Sequence, residues 1–422
     1  MKKTFGFGLA LAATLAACST TGYKVPRPQA AKYSVEILRA MDQKPNDTQK
    51  AWIYLTDKPD PPHSSTLSYM EKLDQPVGED YQSEIERLGG KVRKTSRWLN
   101  AVSVEAAPET LATIADLPFA YRTERVKTGH YTKPEPAMND REEERVSDDA
   151  PLPSPSGLDY GPSLDQAAQI GIPALHQLGL SGRGIVIGLL DIGFNRTHEA
   201  LRKVKILAAH DFVFGDDSVD KDPRVQGDFT DDHGTRVLSI IGGYAPGHII
   251  GPAFGASYLL AKTEDDRTET AVEEDNWVAG IEWAKTYGAR IISSSLGYMK
   301  FDDGSSHSYE SLNGQTVVTA KEANTAAQFG ILVINAVGND GLDASTGLPR
   351  PRSLSSPADA FGVLAVGAVD ENGLLASFSS QGPTADGRIK PEVVARGVQT
   401  YAATSRGEDT YTRGDGTSLA AP

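Results

Sequence analysis

The chain has 422 residues, of which 39% are hydrophobic and 23% are charged, and its formal net charge is -14. This length predicts more than one domain, and the composition is that of a soluble globular protein. The surplus of acidic residues argues against nucleic acid as a partner.

The N-terminus has the pattern of an export signal. Lys2 and Lys3 precede an apolar run at residues 5–17, which is too short to span a bilayer as a stable helix. The run ends in Leu-Ala-Ala-Cys at Cys18, the only cysteine of the chain, so no disulfide can form within it. This ending resembles a bacterial lipoprotein signal, and the alternative is a plain secretory signal cut near the same alanines.

The resemblance to lipoproteins implies cleavage before Cys18 and attachment of lipid to its sulfur. Ser19 follows, and in diderm bacteria a lipoprotein without aspartate at that position usually reaches the outer membrane. The polar residues 19–49 then form a tether. We therefore expect an exported protein that is anchored to the envelope through lipid, with secretion as the alternative.

Residues 50–127 predict a small α+β domain with the order βαββαβ, a ferredoxin-like arrangement. On its own such a domain would suit a binding module or a regulatory domain. A proline-rich, charged linker follows at residues 128–157 and is expected to be extended and open to proteases. The predicted elements are a strand at 51–56, a helix at 81–88, strands at 92–95 and 98–105, a helix at 108–117 and a strand at 119–126.

From residue 158 onward, short apolar runs alternate with helical patterns. Runs of this kind are typical of parallel strands that are buried on both faces. The pattern predicts an α/β domain with a doubly wound, mainly parallel sheet, which places its ligands at the carboxyl ends of the strands. The predicted strands lie at 185–190, 258–261, 289–295, 330–336 and 363–366, and the predicted helices at 233–242, 270–287 and 316–329.

Three polar residues stand at positions that suit nucleophilic catalysis. Asp191 ends a buried strand, where an ionised carboxylate needs a partner. His233 opens a helix after an acidic loop, and Gly234 allows close packing beside it. Ser418 follows a Gly-Thr turn and stands where a helix starts, near free backbone N–H groups. Taken singly, each has an ordinary structural explanation.

The order Asp191, His233, Ser418 resembles that of the subtilisin-like serine proteases. Other segments, in the right order, also resemble motifs of this family, and together they span about residues 158–422. These segments are Ser-Ser-Ser-Leu-Gly at 293–297, Val-Gly-Asn-Asp at 337–340, Ser-Phe-Ser-Ser-Gln-Gly-Pro at 377–383 and Lys-Pro-Glu-Val-Val-Ala at 390–395.

The resemblance implies a serine endopeptidase that forms an acyl-enzyme intermediate. Ser418 would be the nucleophile, His233 the general base and Asp191 the residue that orients the imidazole. Asn339 would donate to the oxyanion together with the Ser418 N–H. The strand Ser295, Leu296, Gly297 would bind extended protein or peptide substrates through main-chain hydrogen bonds.

The resemblance also gives the first domain a role. Subtilisin-like proteases often carry a βαββαβ propeptide that assists folding and then inhibits the enzyme, so residues 50–127 would be an intramolecular inhibitor and self-cleavage would fall in the linker. The alternative is a domain that stays attached permanently.

Catalysis of this kind requires no cofactor, although the family often binds structural calcium. The acidic loop with Asp216, Asp217, Asp220 and Asp222 has no calcium-ligand spacing, so a solvated loop is favoured there and the metal ligands stay unknown. The run at residues 273–275 either lines the substrate site, favouring basic side chains, or complements the dipole of its helix.

Ser418 lies four residues before the last residue, whereas relatives continue, so a longer native product is expected and the activity of this 422-residue chain is left open. The rival hypotheses are a pseudoprotease, a peptide-binding lipoprotein of the cell surface, and an inactive truncated fragment.

Overall fold

The computed structural model describes residues 47–58, 67–126, 157–221, 231–302, 304–343 and 345–422. The predicted signal, Cys18, nearly all of the tether and the processing linker lie outside the described residues. Within the described residues, no helix combines the length and the hydrophobicity that a membrane span needs.

The N-terminal domain has the predicted βαββαβ order, with one additional helix. Its four-stranded antiparallel sheet has the strand order β2-β3-β1-β4. The additional helix α1 was predicted as loop, although Ser68 and Glu71 form a capping box at its start. The elements are β1 Gln49–Leu55, α1 Tyr69–Leu73, α2 Glu79–Arg87, β2 Lys91–Ser96, β3 Ala101–Ala106, α3 Pro108–Ala115 and β4 Ala120–Val126.

The second domain is built on a seven-stranded sheet with the order β13-β12-β11-β10-β5-β9-β6, in which every neighbouring pair is parallel. The predicted doubly wound fold is confirmed. The sheet strands are β5 Val186–Asp191, β6 Lys205–Asp211, β9 Ser257–Lys262, β10 Ile291–Ser294, β11 Leu332–Ala336, β12 Val363–Val369 and β13 Val393–Arg396. The helices are α4 Leu164–Gln169, α5 Ile172–Gln177, α6 Asp232–Gly242, α7 Val272–Thr286, α8 Val318–Gln328 and α9 Thr417–Ala420. Two short antiparallel pairs complete the domain: β7 Tyr244–Ala245 with β8 Ile249–Ile250, and β14 Thr400–Ala403 with β15 Tyr411–Gly414.

Alternate residues of β5 serve two different hydrophobic cores. Leu189 packs with residues of α6 on one face of the sheet, whereas Leu190 packs with residues of α7 on the other. Because both faces are covered by helices, the strand is apolar along its length, as the sequence pattern indicated. The edge strand β6 was not predicted, since its first residues alternate between exposed and half-buried.

The N-terminal domain packs on the helical layer formed by α7 and α8. Strand β2 contacts α7, and Trp52 and Trp98 are buried in the same hydrophobic core as Trp277. The rings of Trp98 and Phe329 are stacked with centroids 4.9 Å apart. This sheet therefore uses its helix-free face for docking, while its other face packs on α2 and α3.

Candidate active site

Asp191 is the last residue of β5, at the carboxyl edge of the sheet, and its side chain is fully buried. Its Oδ1 lies 2.7 Å from Nδ1 of His233 and accepts a hydrogen bond of 2.8 Å from the Ile192 N–H. Within the described residues, its Oδ2 is buried without a hydrogen-bond partner. The imidazole is therefore the principal partner of this buried carboxylate.

His233 lies in the first turn of α6, and a close approach of two chain segments brings it to Asp191. A Cβ at Gly234 would lie 2.1 Å from the carbonyl oxygen of Gly193 and 3.1 Å from Oδ1 of Asp191, so only glycine fits there. The histidine side chain is 21% exposed. A carboxylate can only accept, so the proton lies on Nδ1 and Nε2 is left as the basic nitrogen.

Ser418 lies within the first turn of α9, one position further into the helix than the sequence suggested. Helix α9 contacts α6 as well as the ends of β11, β12 and β13. Leu419 packs against Ile240 of α6, and the Ser295 hydroxyl donates a 2.9 Å hydrogen bond to the Ser418 carbonyl. These contacts bring the helix of Ser418 to the helix that bears His233.

Asn339 is exposed and held in one orientation by the residue before Ser418. Its Oδ1 accepts hydrogen bonds of 2.9 Å from both the N–H and the hydroxyl of Thr417. The amide nitrogen is then free to face the cleft. A Cβ at Gly416 would lie 2.9 Å from the Ser418 Oγ and 3.9 Å from the Asn339 Nδ2, so both atoms border the same small space.

The segment Ser295, Leu296 and Gly297 continues from β10 but is not a strand of the sheet, in contrast to the prediction. Strand β10 ends at Ser294, and two residues later the Leu296 carbonyl accepts a 2.9 Å hydrogen bond from the Asn335 side-chain amide. Among the described residues, the main-chain N–H and C=O of Gly297 have no hydrogen-bond partner. An extended peptide could pair with these groups.

Two of the motifs named from the sequence, at residues 377–383 and 390–395, form hydrogen bonds with neighbouring backbone. The Ser380 hydroxyl accepts a 2.9 Å hydrogen bond from the Asp340 N–H, and the Ser380 N–H donates to the Gly338 carbonyl at 2.9 Å. The ammonium group of Lys390 is buried and donates to the Val363 carbonyl at 2.8 Å. The positioning roles of Thr417 and Ser380 were missed, although both stand inside the quoted motifs.

The acidic residues outside this site have other partners. Asp217 binds His210 at 2.7 Å and Asp220 forms an ion pair with Arg196. The one close carboxylate group found in the described part of the chain comprises Glu264, Glu269 and Glu273, whose oxygens lie within 4.8 Å of one another.

Of the two alternatives for residues 273–275, lining of the substrate site does not fit this structure, because all three are buried, whereas their place in the first turn of α7 agrees with the favoured one, complementing the helix dipole. Glu273 accepts a hydrogen bond of 3.0 Å from the Thr270 N–H at the start of α7, and Glu274 pairs with His307 at 3.0 Å. Asp275 binds the N-terminal domain instead.

Two family models match the chain. One, the subtilase family (Peptidase_S8), matches residues 182–422, and the other, the Peptidase S8 propeptide domain of Bacteroidota, matches residues 64–143.

Similar proteins agree with these matches. The subtilisin-like protease PopC of Myxococcus xanthus is 27% identical over 291 residues, which make up 66% of this chain and 57% of PopC. Subtilisin E of Bacillus subtilis is 28% identical over 342 residues, or 80% of this chain and 72% of that protein. The solved structure of the prenylagaramide maturation protease PagA is 25% identical, with a TM-score of 0.45, and the match covers 60% of this chain and 76% of that chain.

Proposed function

The chain belongs to the subtilase family of serine endopeptidases and carries its N-terminal propeptide domain, and we propose that it hydrolyses peptide bonds with Asp191, His233 and Ser418 as its catalytic triad. The observation that carries the assignment is the 2.7 Å contact between the His233 Nδ1 and the buried Asp191 Oδ1. This contact orients the imidazole and selects the tautomer that a general base requires.

In the proposed reaction, the Ser418 hydroxyl attacks the substrate carbonyl while Nε2 of His233 takes its proton. The tetrahedral intermediate collapses to an acyl-enzyme as His233 protonates the leaving amine, and water then attacks in the same manner. Asp191 stays ionised and stabilises the imidazolium that forms at His233. No cofactor takes part in these steps, and a structural calcium ion stays a prediction.

The oxyanion would be bound by the Asn339 amide and the Ser418 N–H. The orientation of Asn339 supports this role, since Thr417 occupies its oxygen and leaves the nitrogen as donor. Loss of such a side-chain donor costs about 10²–10³ in turnover, a magnitude that comes from subtilisin itself. Main-chain pairing at Gly297 would hold an extended protein or peptide substrate with little dependence on its sequence.

We further propose that the N-terminal domain acts as an intramolecular inhibitor until the chain cuts itself in the linker at residues 128–157. The domain is docked by buried polar contacts: the Ser96 hydroxyl donates to Glu282 at 2.6 Å, and Arg93 binds Asp275 at 2.6 Å. Export and lipid attachment at Cys18, with anchoring to the outer membrane, remain our proposal for its location.

A fluorophosphonate probe tests the proposed nucleophile, because it reacts only with a serine that an adjacent base activates. We expect labelling of the purified protein, loss of labelling in Ser418→Ala, and normal labelling in Ser83→Ala, which removes an exposed hydroxyl from α2. Equal labelling of the Ser418→Ala variant would contradict the assignment. A folded protein that is not labelled at all would favour the pseudoprotease or the inactive fragment.

A further inference from the structure

Glu322 lies in the middle of α8, between α7 and the N-terminal domain, and its side chain is fully buried. Neither of its carboxyl oxygens receives a hydrogen bond from a donor group among the described residues. An ionised carboxylate in such a place would pay a large desolvation cost without any donor to offset it. The side chain plays no part in the proposed catalysis.

The carboxyl group that neighbours Glu322 is that of Glu282 on α7, and Glu282 is saturated with donors. It accepts from the Ser96 hydroxyl at 2.6 Å and from the N–H groups of Arg97 and Trp98 at 3.1 Å each, so its oxygens already have donors that those of Glu322 lack. Burial and the charge of Glu282 raise the pKa of Glu322 well above its ordinary value. Two adjacent carboxyl groups of this kind share one proton.

The N-terminal domain supplies the remaining charges near Glu322. Lys58 and Arg97 both favour the ionised form of Glu322, but they are engaged elsewhere. Lys58 donates to main-chain carbonyls, including that of Gln75 at 2.9 Å, and Arg97 pairs with Glu282 at 3.4 Å and with Asp74 at 3.9 Å. Burial lowers the pKa of Lys58 to about 8, so its own titration lies above neutral pH.

We propose that docking of the N-terminal domain on α7 and α8 takes up one proton, which Glu322 holds, so that the domain binds more tightly in mildly acidic medium than at neutral pH. With the domain removed, α8 would expose Glu322 to water, and its carboxyl group would ionise near the ordinary value of about 4.3. The proton uptake itself does not depend on the proposed function. Only its consequence rests on that function: if the N-terminal domain is an inhibitor, rising pH favours its release.

The sign of the effect follows from linkage. A carboxyl group whose pKa is raised in the docked state contributes its full stabilisation below its undocked pKa, and this contribution is lost as the pH rises towards the docked pKa. One proton gives at most about a tenfold change in the docking constant per pH unit. The pKa of Lys58 is about 8, so the range from pH 5 to pH 7 is the one in which its titration contributes little.

Hydrogen exchange at the Arg97 and Trp98 amides measures docking directly, because both N–H groups donate to Glu282 across the interface. The experiment uses the full chain with Ser418→Ala, which cannot process itself. After correction for intrinsic exchange rates, we expect the opening constant to rise several-fold per pH unit between pH 5 and pH 7. Adding Glu322→Gln should flatten this profile to within about twofold, whereas Glu86→Gln on the exposed face of α2 should leave it unchanged.

A flat profile in the chain with intact Glu322, or an equal slope after Glu322→Gln, would overturn the proposal. Infrared spectroscopy provides a second measurement that does not depend on the folding of a variant. At pH 6 the Ser418→Ala chain should show the carbonyl stretch of a buried, protonated carboxylic acid, and absence of that band would also overturn the proposal. Neither measurement depends on activity, so failure here is distinguishable from failure of fluorophosphonate labelling.

Discussion

Asp191 and Asp275 are both fully buried carboxylates in the second domain, but their partners differ. Asp191 is held by the His233 ring at 2.7 Å and by one backbone N–H, and its second oxygen has no partner among the described residues. Asp275 accepts three side-chain hydrogen bonds of 2.6 Å, which come from three strands of the N-terminal domain. The donors are Trp52, Arg93 and Ser103.

The comparison shows that a buried charge is not by itself evidence of a catalytic residue. An indole, a guanidinium group and a hydroxyl keep their protonation states at any working pH, so the partners of Asp275 can anchor a domain but cannot move a proton. The partner of Asp191 is an imidazole, whose proton can be exchanged near neutral pH. The identity of the partner therefore separates the catalytic site from the docking surface.

The largest effect is expected at the catalytic member of this pair. Asp191→Asn should preserve the fold but lower kcat by about 10⁴-fold, because an amide at this position favours the wrong imidazole tautomer. Turnover of a peptide substrate by the processed enzyme measures this loss, and circular dichroism checks the fold. Asp275→Asn is the matched control and should leave kcat of the processed enzyme nearly unchanged. A similar loss of kcat in both variants would contradict the assignment of different roles to the two carboxylates.

The next prediction concerns the docking surface, where Asp275 is replaced by alanine. Asp275→Ala leaves the Arg93 guanidinium, whose side chain is only 10% exposed, without its carboxylate. Breaking a buried ion pair in this way typically costs about 3–5 kcal/mol. Hydrogen exchange at the Trp98 amide in the Ser418→Ala chain should show this loss as a lower free energy of local opening. Protection equal to that of the parent chain would mean that the remaining contacts, those of Glu282 and of Trp98 with Phe329, are sufficient to hold the domains together.

The sequence predicted the local parts of both regions but not the contact between them. Apolar runs and the residues at their ends were sufficient for the five inner strands of the sheet and for Asp191, because a strand buried on both faces leaves a continuous pattern. The two edge strands, β6 and β13, were not predicted. The docking role of Asp275 could not be predicted, since its partner Trp52 is 223 residues away and no periodicity encodes which surface covers a helix. For the same reason the sequence left two alternatives open for residues 273–275.

The short elements were missed because their signals are small. Helix α1 has five residues, and only its capping box distinguishes it from loop. The apolar pattern predicted a strand through Ser295, and the resemblance implied a substrate-binding strand through Gly297. In the structure β10 ends at Ser294, and the Asn335 side chain donates to the Leu296 carbonyl. In both cases side-chain hydrogen bonds to the backbone accompany the local structure, and the hydrophobic pattern does not record them.

The smallest effect is expected from removing one of the three donors to Asp275. Ser103→Ala deletes a hydroxyl that donates to Asp275 at 2.6 Å and accepts from Arg93 at 3.0 Å, while the guanidinium itself stays paired. Hydrogen bonds to charged groups are worth about 1.5–3 kcal/mol, so the same exchange measurement should register a loss in that range. Ser83→Ala, on the exposed side of α2, provides the control for loss of a hydroxyl. Because Arg93 keeps its carboxylate, a loss as large as that of Asp275→Ala would show that the three donors act as one cooperative network rather than as separate anchors.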